Sequence, residues 1–215
     1  MNFKQNHIFA NLLSALATFF ICLSSNPSFS QIPQIINFDK QKYHAARQNW
    51  SVTYDKEGIF YFGNNMGLLE FDGITWKLNP SGNSSIIRAV SVDDSDKIFS
   101  GGYRELGYWD KEKEGGLKYH SLSNLVEDKF TTNEEFWNII SIGNKIYFHS
   151  FSGIFVYESG SFNVVKPGGF VNFATRLGDQ LYFTIKEKGI YKLSDSSYIP
   201  VIEANFFSDK TFFMA

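Results

Sequence analysis

Beyond residue 30 the chain carries three histidines, His44, His120 and His149, at unrelated spacings, so no metal trio is expected from them. Asp93-Asp94-Ser95-Asp96 is the nearest approach to a calcium loop. It lacks the central glycine and the distal bidentate glutamate of an EF-hand, and a solvated turn is expected instead. Glu134-Glu135 offers the paired carboxylates that glycoside hydrolysis uses, but neighbouring acids on a loop commonly do no more than solvate it. A glycine-rich phosphate loop, a His-Glu-x-x-His pair and a nucleophile elbow are all missing from the sequence. No catalytic residue, metal or cofactor is therefore expected in this segment.

The remaining chemistry is that of binding. Asn49, Asn64, Asn65, Arg88, Tyr103, Arg104, Glu105, Trp137 and Asn138 lie in or beside polar stretches that interrupt apolar runs. Aromatic planes with arginine, asparagine and glutamate nearby suit a sugar ring, held by stacking and by bidentate hydrogen bonds. Tyr103-Arg104-Glu105 interrupts no strand and is the most site-like group. Trp50 and Trp137 open hydrophobic runs, and the favoured reading of those two is that they plug the wedge between blades rather than touch ligand.

Positioning such groups needs a folded scaffold, and the composition supplies one. Of 215 residues, 43% are hydrophobic, 18% aromatic and 20% charged, and only 5 are proline. That is a folding composition, and its aromatic content favours half-buried strands. A net charge of −2 argues against a phosphate-backbone binder, so no nucleic-acid contact is expected. One cysteine excludes an internal disulfide framework.

The first thirty residues have the layout of a secretory signal peptide. Met1–His7 is polar with Lys4 as its positive charge, Leu12–Leu23 is mostly apolar, and Ser28-Phe29-Ser30 fits a small-x-small cleavage site. A mostly apolar run of twelve residues is too short for the roughly 30 Å of bilayer hydrocarbon. Cleavage after Ser30 is expected, with Cys22 leaving in the removed segment and an exported, thiol-free chain remaining.

After residue 30 one grammar recurs. A glycine opens a strand-like run at Gly67, Gly107, Gly153 and Gly189, at spacings of 40, 46 and 36 residues. Hairpin signals stand at Gly143-Asn144 and Gly178-Asp179, and again at Asp72-Gly73 and Ser159-Gly160. Each unit is predicted to be four short antiparallel strands, and the period is that of propeller blades. The blades are expected at about 45–80, 84–123, 134–166 and 169–203, with residues 208–215 starting a further one. The ring is expected to be incomplete, with this chain an N-terminal fragment that does not fold stably alone. In an antiparallel blade, the loop leading into the first strand and the loop between the second and third share one end. The candidate binding residues cluster at that end.

Gly67-Leu-Leu-Glu-Phe-Asp-Gly-Ile-Thr-Trp76, preceded by Gly63-Asn64-Asn65, resembles the repeat of the two-component regulator propeller family. The second, third and fourth units match it more loosely, for example at Gly107-Tyr-Trp-Asp110 and Gly153-Ile-Phe-Val-Tyr157. The resemblance covers roughly residues 45–205. It implies an all-β propeller acting as a periplasmic sensor. Further blades, a triple-tyrosine domain, a transmembrane helix and a kinase or helix-turn-helix output would follow, in a homodimeric full-length protein. It also implies an extracellular oligosaccharide or other small ligand. The alternative is a secreted carbohydrate-binding or carbohydrate-active propeller, and a third reading is a scaffold with no small ligand.

Overall fold

The computed structural model describes Ser14, Leu16, residues 35–113 and residues 115–203. The expected signal segment, apart from Ser14 and Leu16, and the expected strand at 208–215 lie outside the described residues. The described residues from Phe38 onward form one compact unit.

Its described residues form sixteen strands in four antiparallel sheets of four, each an up-and-down meander in chain order. The first holds β1 (Asn49–Tyr54), β2 (Phe60–Asn64), β3 (Gly67–Phe71) and β4 (Trp76–Asn79). The second holds β5 (Ile87–Val92), β6 (Ile98–Gly102), β7 (Glu105–Lys111) and β8 (Leu117–Ser121). The third holds β9 (Phe136–Ile142), β10 (Lys145–Ser150), β11 (Gly153–Glu158) and β12 (Ser161–Val165). The fourth holds β13 (Val171–Leu177), β14 (Gln180–Ile185), β15 (Gly189–Ser194) and β16 (Ser197–Glu203). The first strands of successive sheets lie side by side, β1 against β5, β5 against β9 and β9 against β13. This is the stacking of propeller blades around an axis.

A single sheet cannot hide both faces, and the apolar residues show how stacking solves this. Tyr61 and Leu68 of the first sheet bury against Ile87, Val90, Ile98 and Trp109 of the second. Phe99 and Leu106 of the second bury against Phe136, Phe148 and Phe155 of the third. Phe136 meets Phe155 edge to face, with ring centroids 5.1 Å apart at 86°. Each such buried aromatic contributes about 1.5–3 kcal/mol by leaving water. Ile154 and Val156 meet Ala174, Leu181 and Phe183 in the wedge between the third and fourth sheets.

The two outer faces of the stack are also apolar. On the far face of the first sheet Val52 lies opposite Phe62, Phe60 opposite Phe71, and Phe71 opposite Trp76. A helical turn at Lys40–Tyr43, capped by Asp39, covers part of it by packing Tyr43 and Ala45 with Leu69. Val52 and Tyr54 stay open, at 58% and 67% exposure. On the fourth sheet Phe173, Leu177 and Ile199 are likewise exposed.

Candidate functional site

The innermost strand of every sheet carries a β-bulge at the same place. In β1 Asn49 pairs with Asn64 and Ser51 with Gly63, which leaves Trp50 as the extra residue. The same register shift leaves Arg88 extra in β5, Trp137 in β9 and Asn172 in β13. A bulge breaks the in-out alternation and re-aims a side chain, which is why bulges gather near sites. All four lie at the end where the loops leading into the first strands meet the loops joining second to third strands.

Three of the bulged side chains touch one another. The Arg88 guanidinium carbon is 3.7 Å from the Trp50 ring centroid and 5.0 Å from that of Trp137. Trp50 meets Trp137 at 6.1 Å and 77°, so the first and third sheets meet across the axis with Arg88 between them. Arg88 Nε donates to Glu135 Oε1 at 2.6 Å, and Trp50 Nε1 donates to Asn65 Oδ1 at 2.6 Å. Trp137 continues the contact by stacking on Phe151 at 5.3 Å, which stacks on Phe170 at 4.4 Å. The result is an aromatic strip from the first sheet to the threshold of the fourth. Trp50, Phe151 and Phe170 keep 37%, 38% and 43% of their surface in solvent.

Beside the strip lies a recess of about 350 Å³, walled by Trp137, Phe151 and Phe170 and floored by Glu134, Glu135 and Ser152. Its volume is at the lower end of small-ligand pockets, roughly 300–1,000 Å³. Glu134 is buried and accepts from the Ser152 hydroxyl and from the Thr131 N–H. Two donors at the strip, Arg88 Nη1 and Trp137 Nε1, are buried without a partner. A cleft of about 410 Å³ opens at the opposite end, between the turns at Asn144 and Asp179. Its lysine, Lys145, is engaged by Glu158 and Asp195.

The nine residues singled out in the sequence have different fates. Arg88 and Trp137 lie in the strip, and Asn65 anchors it through Trp50. Asn64 is fully buried. Its amide donates to the carbonyls of Ala46 and Gln48 and to Asn49 Oδ1, and its oxygen accepts from the Ala46 and Met66 N–H groups. Asn64 and Asn49 thus fasten the loop leading into β1. Asn138 donates to the Ala174 carbonyl at 3.1 Å and ties the third sheet to the fourth. Asn138→Ala is expected to cost about 1 kcal/mol, read as a lower urea midpoint.

Tyr103 and Arg104 lie over the loop at Thr131 and Thr132, next to the recess. The Tyr103 hydroxyl donates to the Thr132 carbonyl at 3.3 Å, and Arg104 Nη1 donates to the Thr131 carbonyl at 2.8 Å. Glu105 is spent on the outer strand, accepting from the Tyr119 hydroxyl at 2.7 Å and from Ser121 Oγ at 2.6 Å. Trp50 and Trp137, read also as fillers between blades, instead face each other at the axial mouth. The sequence reading missed Phe151, Phe170 and Asn172.

The histidines stay apart. His120 stacks on Tyr108 at 4.8 Å. His149 is buried, its Nε2 lies 2.9 Å from the Val171 carbonyl, and so Nε2 carries the proton. Burial pushes its pKa down, only partly offset by that bond, and the ring is neutral. Among the described residues no three histidine, cysteine or acidic side chains converge as metal ligands.

No protein-family model and no curated protein matches the sequence. Solved structures do. The chain resembles the extracellular domain of BT4673 from B. thetaiotaomicron, described as a one-component system, with TM-score 0.51 and 14% identity. That match covers 72% of this chain and 21% of that one. A second structure of the same domain, described as belonging to a hybrid two-component system, gives TM-score 0.53 and 17% identity over 69% and 20% of the two chains. Virginiamycin B lyase from Staphylococcus aureus gives TM-score 0.54 and 14% identity over 73% and 58%. This chain thus spans about a fifth of the BT4673 domain and little more than half of the lyase. The propeller arrangement is common to a regulator's extracellular domain, as the repeat's resemblance implied, and to an enzyme.

Proposed function

We propose that this chain is the extracytoplasmic ligand-sensing propeller of a membrane-spanning regulator, that this part is not catalytic, and that its ligand is a glycan held on the aromatic strip. The observation that carries the reading is the repeated bulge. Four sheets spend the same irregularity on one end, and three of the displaced side chains build a single surface. Repeating a device that weakens the ladder is hard to account for by stability alone. The regulator neighbours and the repeat's resemblance support an exported sensor, with further blades and an output domain in a homodimeric full-length protein. Ligand on the strip would bias that output through its differential affinity for two arrangements.

The lyase neighbour favours a catalytic reading, for which the alternative drawn from the sequence is a secreted carbohydrate-active propeller. Its carboxylates would be Glu134 and Glu135. The first is closed in by Ser152 and Thr131 and the second is engaged by Arg88, which supports binding over acid-base work. The test is titration of the full chain with a panel of neutral and acidic oligosaccharides, followed by tryptophan emission and by product analysis. Binding without turnover is expected, weakened at least about tenfold in Trp137→Ala. Turnover of any member, or no binding by the whole panel, overturns the proposal.

A further inference from the structure

We infer that the strip reads an uncharged sugar unit through two neighbouring hydroxyls, one held by Arg88 and one by Glu135, and that it rejects uronates and sulfated sugars. This deepens the ligand-sensing reading and rests on it. The argument starts from the unpartnered groups. Arg88 is fixed by the Trp50 face at 3.7 Å and by Glu135 on Nε at 2.6 Å, yet its Nη1 is buried with no acceptor. Trp137 Nε1, on the next sheet's bulge, is in the same condition. Both are donor-only groups, so the missing partner is an oxygen with lone pairs. A buried donor left without one is costly, and its presence calls for an occupant.

Charge decides which oxygen. The Arg88–Glu135 pair is formally neutral, with side chains only 14% and 20% exposed. The recess beside it contains Glu134 and Glu135 in its lining and no lysine or arginine. Within the strip and the recess lining an anionic ligand would meet two carboxylates, one of them buried, and in Arg88 a cation already neutralised; Arg104 stands outside that lining, on the Thr131 carbonyl. A hydroxyl avoids this conflict, because it accepts from Nη1 while its neighbour donates to the Glu135 carboxylate. Trp137, Phe151 and Phe170 stack on one another, and the ring surface they leave open to the recess then meets the apolar face of the sugar ring. Since Nη1 and Trp137 Nε1 have no open surface, Trp50 is the side chain that must move. It is 37% exposed and tethered to Asn65 by one hydrogen bond.

The experiment is calorimetric titration of the full chain with two arms. One holds neutral gluco-, manno-, galacto- and xylo-oligosaccharides, the other oligogalacturonate and sulfated chondroitin disaccharide. A neutral member is expected to bind, with an affinity that changes less than about twofold on raising salt, because no ligand charge is screened. Arg88→Lys and Glu135→Gln should each weaken it at least about tenfold. Trp137→Phe keeps the ring and removes the unpartnered N–H, so it serves should either charge variant fail to fold, and a loss of about threefold or more is expected. Preference for the acidic arm, or neutral binding indifferent to all three variants, overturns this inference and leaves the sensor reading standing. Silence in both arms removes both.

Discussion

Gly153→Ala is expected to lower stability by about 3 kcal/mol or more, the cost of overpacking where nothing can yield. A Cβ at Gly153 would stand 2.3 Å from the Val165 carbonyl oxygen and 3.3 Å from Lys166 Cα. Both atoms are backbone at the end of β12, so no side chain can swing away. The same crossing recurs at Gly107, where a Cβ would meet the His120 oxygen at 2.3 Å, and the glycines opening β3 and β15 stand in the same relation to β4 and β16. A carbonyl at the last or next-to-last residue of each fourth strand passes over this glycine, which opens β3, β11 and β15 and is the third residue of β7. Urea unfolding followed by far-UV circular dichroism checks the size. Gly143→Asn is the control, because φ is 59° there and nothing lies within 4 Å. Asparagine tolerates that conformation, and a cost under about 1 kcal/mol is expected. If Gly153→Ala unfolds with the wild type, the crossing is looser than these distances require.

That crossing explains why the fold was legible. A close approach that admits only glycine leaves a mark in the sequence, once per sheet, at Gly67, Gly107, Gly153 and Gly189. Turns leave similar marks, and Gly143, Gly160 and Gly178 all take left-handed φ in their hairpins. The site is harder to read for two physical reasons. A bulge adds one residue to a strand, and one residue does not disturb a short period-two pattern enough to be seen, so Asn172 carried no signal. Phe151 and Phe170 were hidden because the chain holds 23 phenylalanines, and others of them, Phe99, Phe136, Phe148, Phe155 and Phe183, serve the wedges. Polar residues misled in the opposite direction. Asn64 and Glu105 resemble ligand groups in sequence, yet the first fastens a loop and the second fastens β8. Whether a polar side chain is free depends on which backbone groups the fold leaves unpaired beside it, and that is a property of register.

The second large effect is expected where two sheets are joined by charge. Asp55, between β1 and β2, has a fully buried side chain that accepts from Lys111 Nζ at 2.8 Å, the Tyr61 hydroxyl at 2.9 Å and the Glu57 and Ile59 N–H groups at 3.0 Å. Lys111 ends β7 on the next sheet and also reaches Glu57 at 2.9 Å. Asp55→Ala strips these partners at once and leaves the buried Tyr61 hydroxyl with no acceptor. The expected loss is about 3 kcal/mol, below the top of the range for a broken buried pair because Lys111 is 38% exposed and keeps Glu57. Burial alone would raise the Asp55 carboxyl, but Lys111, the Ile59 N–H and Tyr61 outweigh it and hold the group below its ordinary value. A carboxyl depressed in the folded chain contributes stability above its ordinary pKa of about 3.9, and that contribution fades as pH falls through the lower folded value. Acid should therefore destabilise the wild type more steeply than Asp55→Asn as pH falls below about 4. The variant keeps Oδ1 as acceptor for the two N–H groups, but it loses the charge and puts an NH2 donor where Oδ2 accepted from Tyr61 and Lys111. The comparison therefore rests on the pH slope and not on the absolute stability. Parallel acid limbs in the two proteins, measured by urea unfolding at stepped pH, would mean that Lys111 does not govern Asp55. The joint between the first two sheets would then rest mainly on the apolar contacts around Tyr61, Leu68 and Trp109, with the Lys56 contacts to Asp94 and Asp96 beside them.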